Sequence, residues 1–280
     1  MKAIIESRMV LEELGASSVQ PASHEDRVSG PFPVTRICGN LALDNQKERT
    51  GCLTVIVPIY NEAESVERLL QAVSAAPVSK EVIVVDDGST DGTRHKLMSI
   101  AEKQDITLLL HERNFGKGAA IRTALRFVTG EYVLIQDSDL EYDPRDYAAM
   151  LQPLKDGKAN VVYGVRPDRP ERGLRFFLGA KLLTHLTNFL YASHIHDEAT
   201  CYKAFRRSLL KRVRLDCRGF EFCPEITAKL CRLGERIHEV PISYTPRTKS
   251  KGKKLRYSDG SKAVLTLVRY RFTSRRNLCQ

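Results

Sequence analysis

Residues 53–70, LTVIVPIYNEAESVERLL, decide the fold. The first five are a continuous apolar run, the pattern of a strand buried on both faces. A polar turn follows, with Asn61 placed to cap a helix and Glu64 three residues on. Val66, Leu69, Leu70 and Val73 then recur at i, i+3, i+4 and i+7, which predicts a helix with one apolar face.

The alternation repeats downstream. Residues 81–85 (EVIVV), 106–110 (ITLLL) and 132–136 (YVLIQ) read as strands, and 91–104 and 117–128 as helices. Strands alternating with helices at short spacing predict βαβ units, an α/β fold and a mostly parallel sheet. Beyond Pro144 the pattern predicts a helix to about residue 154, a strand over 161–164 and an apolar-rich helix over 174–191. A strand over 200–205, a helix over 225–233, a strand over 236–244 and a basic amphipathic helix over 260–272 complete it. Residues 1–50 have weak periodicity, and 17–33 are rich in Ser, Pro, Gly and charge. The expected organisation is a flexible N-terminal extension over 1–50, an α/β domain over 51–258, and a basic helix and tail over 259–280.

Composition bounds the class. The 280 residues are 42% apolar and 28% charged, enough for a large core, and exclude a collagen-like, disulfide-framework or wholly disordered chain. No apolar run approaches the ~20 residues of a membrane span. The seven cysteines are odd in number and form no C-x-x-C, so neither a zinc spacing nor a disulfide framework is visible. They read as reduced thiols, with a cytoplasmic location expected. Net charge is +10, and residues 241–280 alone hold eleven Lys/Arg against one acid, Asp259. A basic tail on a neutral body points to an anionic partner: a nucleotide phosphate, a lipid phosphate or an anionic membrane surface. A nucleic acid is disfavoured, because aromatic interleaving is sparse and no binding module is recognisable.

Chemistry concentrates where the predicted strands end. Open α/β sheets bind ligands at the carboxyl ends of their strands. Residues 58–62 (PIYNE), 86–93 (DDGSTDGT) and 137–141 (DSDLE) each follow a strand. Any one could be turn chemistry, but all three at one sheet edge mark a site. Asp137 and Asp139, at i and i+2, can present two carboxylates to one hard cation, with Glu141 as a further oxygen ligand. That cation, Mg²⁺ or Mn²⁺, would neutralise charge on a departing pyrophosphate. A P-loop and a dinucleotide fingerprint are both absent. Gly116 and Gly118 flank Lys117 at a helix start, where they allow close backbone packing. The histidines at 111, 185, 194, 196 and 238 belong to no motif and read as structural or surface groups.

Taken together, VIVPIYNE (55–62), VVDDGSTDGT (84–93), NFGKGAAIRTA (114–124) and QDSDLEYDP (136–144) resemble family 2 glycosyltransferases of the GT-A fold. EVPISYTPR (239–247) and the Lys/Gly loop after it are similar to the polyprenyl-phosphate glycosyl synthases of that family, which make dolichyl-phosphate mannose or glucose. The resemblance covers residues 53–272. It implies a Rossmann-like nucleotide-diphospho-sugar transferase domain that moves a hexose, from GDP-mannose or UDP-glucose, to a polyprenyl or dolichyl phosphate with inversion. By position, Pro58, Tyr60, Glu62, Val85 and Asp87 match the residues that hold nucleobase and ribose. Asp137, Ser138 and Asp139 match the D-x-D step, with Ser138 where the family usually has Ala. Arg166 matches an arginine near the phosphates, and Arg247 and Lys253 a basic pair on a clamping loop.

An ionised lipid phosphate needs no strong general base. A hydroxyl acceptor, on a soluble or glycan substrate, would need one, and Asp197, Glu198 and Glu225 are the candidates, with salt-bridge or capping duty the plainer expectation for each. The helix over 260–272 suits an anionic membrane surface and, with 174–191, a platform for a polyprenyl tail. Peripheral contact with the cytoplasmic face of a membrane is therefore expected. Core packing or a homo-oligomer interface is the plainer use of 174–191.

Overall fold

The computed structural model describes residues 32–38, 48–167, 174–247 and 257–279. The opening run becomes strand β2 (Arg49–Ile59), and the helix after it is α1 (Val66–Ala75). Then follow β3 (Lys80–Asp86), α2 (Thr93–Lys103), β4 (Thr107–His111), α3 (Lys117–Ala124), β5 (Gly130–Ile135), α4 (Tyr147–Lys155) and β6 (Val161–Val165). The last part holds α5 (Leu174–Tyr191), β7 (Lys203–Arg206), the single turn α6 (Arg207–Leu210), α7 (Phe222–Leu233), β8 (His238–Pro241) and α8 (Tyr257–Phe272). β1 (Val34–Cys38) precedes them all.

One sheet runs through the molecule in the order β1-β4-β3-β2-β5-β7-β6-β8. The pairs β4–β3, β3–β2, β2–β5 and β6–β8 are parallel; β1–β4, β5–β7 and β7–β6 are antiparallel. This is the expected α/β architecture with a mostly parallel central sheet. Strand alternation divides the core. Leu53, Val55, Val57 and Ile59 of β2 pack with the apolar faces of α1, α2 and α4. Ile56 faces the other way, with Ile83, Val85 and Leu109, onto Ala120, Ile121 and Ala124 of α3 and Ile226 and Leu230 of α7. The four residues that predicted α1 are all buried.

The sequence reading needs correction at two places. Val34–Cys38, placed in a flexible extension, pairs with β4 along its whole length, from Val34 opposite His111 to Cys38 opposite Thr107. With five residues and its apolar positions Val34, Ile37 and Cys38 in no strict alternation, it is too short to announce a strand, and an edge strand has only one neighbour to pair with. Asn61 does not cap α1. The helix begins after Ser65, and Asn61 adopts a left-handed backbone (φ 50°). The basic helix α8 packs on the body of the protein beside α5. Leu267 and Tyr270 pack with Ala228 of α7 and with Leu183, Leu186 and Leu190 of α5, and the Tyr191 hydroxyl donates to the Leu267 carbonyl at 2.5 Å. Among the described residues, no helix is long and apolar enough to cross a membrane.

Candidate active site

Strand register brings the three polar clusters together. Ile59 stands opposite Asp86, and Ile56 opposite Ile135. The Asp87 amide donates to the Ile59 carbonyl (2.8 Å), and the Gln136 amide to that of Ile56 (2.9 Å). β2, β3 and β5 therefore end side by side where the strand order reverses, the crevice in which open α/β sheets bind ligands.

The first two loops interlock. The Asn61 side-chain oxygen accepts from the Thr90 amide (2.8 Å), and the Asn61 amide donates to Ser89 Oγ (2.9 Å). The Glu62 amide donates to Thr93 Oγ1 (2.8 Å) and that of Ala63 to Asp91 (3.1 Å). This cross-loop bonding is what removes Asn61 from helix capping. Gly88 has φ 74°, and a Cβ there would lie 2.3 Å from the Arg113 backbone, so only glycine closes this turn.

Asp87 is buried. It binds His111 Nδ1 (2.7 Å) and the amides of Phe115 (2.9 Å) and Gly116 (2.7 Å), while His111 Nε2 meets Thr123 Oγ1 (2.9 Å). Its carboxylate thus shapes the floor of the crevice by pinning the loop that starts α3. Pro58 and Val85 face each other across β2 and β3, and the Val85 side chain lies in the core, so only its backbone edge borders the crevice. Tyr60 is half-buried at the rim.

Asp137, Ser138 and Asp139 follow β5, all half-buried. Asp137 accepts a hydrogen bond from Lys117 Nζ, which also donates to Cys201 Sγ at 3.0 Å. Burial works against the Lys117 charge, but Asp137 and the Cys201 sulfur hold its ammonium well above the ordinary lysine range. Asp139 accepts from the Glu141 amide (3.1 Å). Burial, then the neighbouring charges of Asp137 and Glu141, push its carboxyl up to about 7. Two close carboxylates, one of them pushed up by the other's charge, are a donor set that fits a divalent cation. Glu141 does not complete a third arm. It accepts from the Tyr244 hydroxyl and from the Arg247 amide (2.9 Å), anchoring the segment after β8. Among the described residues, no three His, Cys, Asp or Glu side chains converge on a cation position. A cation held by Asp137 and Asp139 would take its other ligands from phosphate oxygens and water.

Arg247 lies at this edge. It donates from Nε to the Asp139 carbonyl (2.6 Å) and makes a two-pronged pair with Glu62 (2.6 and 3.2 Å). The base-side residue and the phosphate-side residue of the sequence reading thus hold each other. Arg166 is different. It forms a buried bidentate pair with Asp197, both bonds 2.6 Å, and lies over the Tyr244 ring, so its guanidinium organises the site wall. Lys253 lies outside the described residues.

Of the candidate bases, Asp197 serves Arg166. Glu225 accepts from the amides of Asp216 and Cys217 (2.7 Å each), Lys229 (2.6 Å) and the Tyr270 hydroxyl (2.9 Å). Both carry the structural duty that was the plainer expectation. Glu198 is fully buried with neither carboxylate oxygen hydrogen-bonded, and burial pushes it up to about 7 against the opposing pull of Lys203. Sequence reasoning missed Lys117 as a site residue. Its signal was there in the Gly-Lys-Gly step. A Cβ at Gly116 would lie 2.3 Å from the Arg218 carbonyl oxygen and one at Gly118 2.8 Å from Cys217 Sγ, so both glycines admit the close packing that aims Lys117 at Asp137.

This geometry has known counterparts. Residues 54–214 match glycosyl transferase family 2. The chain is 30% identical over 201 residues to a dodecaprenyl-phosphate galacturonate synthase of Rhizobium johnstonii, a match that covers 70% of this chain and 59% of that protein. The chain therefore spans about six-tenths of that relative's length. In fold it is similar to glucosyl-3-phosphoglycerate synthase of Mycobacterium tuberculosis. The structure with UDP gives a TM-score of 0.62 at 21% identity, covering 80% of this chain and 81% of that one. The structure with Mn²⁺ and UDP-glucose gives 0.60 at 23% identity, covering 79% and 78%. With the family match spanning all three strand-end clusters and the sheet order to go with it, the chain belongs to glycosyl transferase family 2.

Proposed function

We propose that the protein transfers a hexose from a nucleotide-diphosphate sugar to a polyprenyl phosphate, with inversion at the anomeric carbon and with Mg²⁺ or Mn²⁺ at the Asp137–Asp139 pair. The observation that carries this is the carboxylate pair at the end of β5, with Asp139 pushed up to about 7 beside Lys117 and Arg247. The nucleoside lies across Pro58, Tyr60 and the backbone of Val85, over the loop pinned by Asp87. A cation on the two carboxylates would supply Lewis-acid stabilisation of the leaving diphosphate. Lys117 and Arg247 contribute fixed positive charge on either side of it. An acceptor phosphate arrives already ionised, which agrees with Asp197 and Glu225 being engaged in the scaffold.

The acceptor side is supported by the outer face of α5 and α8. Leu182 (70% exposed) and Phe189 (85%) on α5, with Leu265 (67%) and Phe272 (80%) on α8, lie open to solvent on two helices packed against each other. Lys262, Arg269 and Arg271 are exposed on α8. Apolar side chains rimmed by cations fit peripheral contact with an anionic membrane from which a lipid phosphate is presented. The similarity to a dodecaprenyl-phosphate galacturonate synthase points the same way.

A transfer assay tests the reading. The protein is given Mn²⁺ or Mg²⁺, a short polyprenyl phosphate, and labelled GDP-mannose, UDP-glucose or UDP-galacturonate, and label is followed into the organic phase. Label in lipid, reduced at least about a hundredfold in Asp139→Ala, is expected. Metal-dependent release of nucleoside diphosphate with label only in the aqueous phase would overturn the lipid acceptor in favour of a soluble or glycan one.

A further inference from the structure

Behind the carboxylate pair sit two thiols. Cys201, just before β7, and Cys223, in the first turn of α7, have their sulfurs 3.7 Å apart. Among the described cysteines these two sulfurs alone touch one another. Cys223 Sγ also donates to the Thr200 carbonyl (3.5 Å), and the Cys201 backbone is held by its amide, which donates to the Tyr142 hydroxyl (3.1 Å). Cys201 is half-buried and Cys223 buried. A disulfide has sulfurs about 2.0 Å apart, so closing the pair requires about 1.7 Å of movement at the side-chain tips. The contact connects to the site through one ammonium group, since Lys117 Nζ donates both to Cys201 Sγ and to Asp137.

We propose that Cys201 and Cys223 are an oxidation-sensitive dithiol, and that its closure to a disulfide weakens cation-supported nucleotide binding at Asp137 and Asp139. The coupling, though not the dithiol itself, rests on the function proposed above. The oxidant is a peroxide. The Cys223 sulfur attacks one oxygen of hydrogen peroxide, breaking the O–O bond to give a sulfenic acid and hydroxide, which takes up the thiol proton as water. The Cys201 sulfur then attacks the sulfenic sulfur, and hydroxide leaves with the Cys201 proton as a second water. Two thiols are oxidised to one disulfide and one peroxide is reduced to two waters.

The consequence follows from the acceptors of Lys117. While Cys201 is a thiol, its sulfur shares the ammonium with Asp137. A disulfide sulfur is a poor acceptor and is drawn toward Cys223, away from Lys117. The ammonium, which already donates to Asp137, loses its second acceptor and competes more strongly with a divalent cation for that carboxylate.

The full chain, freshly reduced, is treated with hydrogen peroxide, quenched with catalase, and compared with untreated protein by intact mass, peptide mapping and calorimetry with UDP or GDP plus Mn²⁺. The proposal expects loss of the mass of two hydrogens, a peptide joining residues 201 and 223, and nucleotide affinity weakened by about fivefold or more. Dithiothreitol should restore both. Cys223→Ser should bind nucleotide as the reduced protein does and ignore peroxide, with Cys223→Ala as the second variant if serine at this buried position disturbs folding. Oxidation that leaves residues 201 and 223 unjoined overturns the dithiol, and a joined pair with unchanged affinity overturns the coupling. Reduced protein that binds neither nucleotide refutes the donor site and the coupling with it, while the mass result still decides the dithiol.

Discussion

Arg247 and Glu62 lie 185 positions apart in the chain and meet in a two-pronged ion pair, with Ser65 Oγ donating to Glu62 (2.6 Å) at its base. Glu62 is buried, so removing its partner leaves a desolvated carboxylate. Arg247→Ala should therefore cost about 1–3 kcal/mol in stability and raise the KM for the donor, read by chemical denaturation and initial rates. Glu62→Gln combined with Arg247→Ala should recover part of the stability and none of the KM, because the stranded charge is gone but the phosphate-side cation is still missing. Glu198 gives a second residue-scale test. Its folded-state pKa, about 7, lies above the ordinary 4.5. The folded protein therefore holds this proton more tightly than the unfolded chain, and stability is fully present below pH 4.5 and lost as pH rises toward 7. The loss is at most about 3 kcal/mol. Urea unfolding at pH 5, 6, 7 and 8 should show this decline in the wild type and a flatter profile in Glu198→Gln.

At the scale of elements, α5 and α8 are each two-sided. Leu183, Leu186 and Leu190 of α5 turn inward onto Leu267 and Tyr270 of α8, and Leu182, Phe189, Leu265 and Phe272 turn outward. The inward residues make the pair part of the folded body, so the expectation of core packing for 174–191 holds for one face. The outward residues have no packing role, and charging them should leave stability within about 0.5 kcal/mol. Leu182→Glu with Leu265→Glu should then abolish co-sedimentation with anionic vesicles and cut transfer to lipid while leaving nucleotide binding unchanged. Equal sedimentation of variant and wild type would refute the membrane role of this face. The clusters at the strand ends were legible in the sequence because each follows an apolar run directly. The duties of Glu141, Arg166 and Asp197 were not, because their partners Tyr244, Asp197 and Arg166 are distant in the chain.

Across the whole molecule, the sheet is closed at one edge by β1, and Phe32 just before it lies against Phe115 (centroids 5.1 Å) and His111 (6.0 Å), the residues that fix Asp87. The N-terminal segment thus reaches the floor of the nucleotide crevice. Deleting residues 1–47 should uncover the β4 edge, lower the melting temperature by several degrees, promote aggregation and weaken nucleotide binding. A truncated protein with unaltered melting temperature would mean that β1 adds nothing to the sheet. Light scattering and thermal unfolding on the two lengths of chain settle this together.

The sequence by itself determined the alternation of strands and helices, the parallel core of the sheet and the placing of three polar clusters at one edge. These are local properties: buried strands must be apolar runs, helices must repeat every 3.6 residues, and loops at strand ends inherit the edge on which the strands stop. Tertiary structure alone decided which polar groups are engaged. Asp87 spends its carboxylate on His111 and two amides, Arg247 meets Glu62, Arg166 is locked to Asp197, and Lys117 bridges Asp137 and Cys201. It also recruited residues 34–38 as a strand. A charged or polar side chain takes whichever partner lies within about 3 Å, and that distance is set by the packing of segments remote in sequence, on which local pattern is silent.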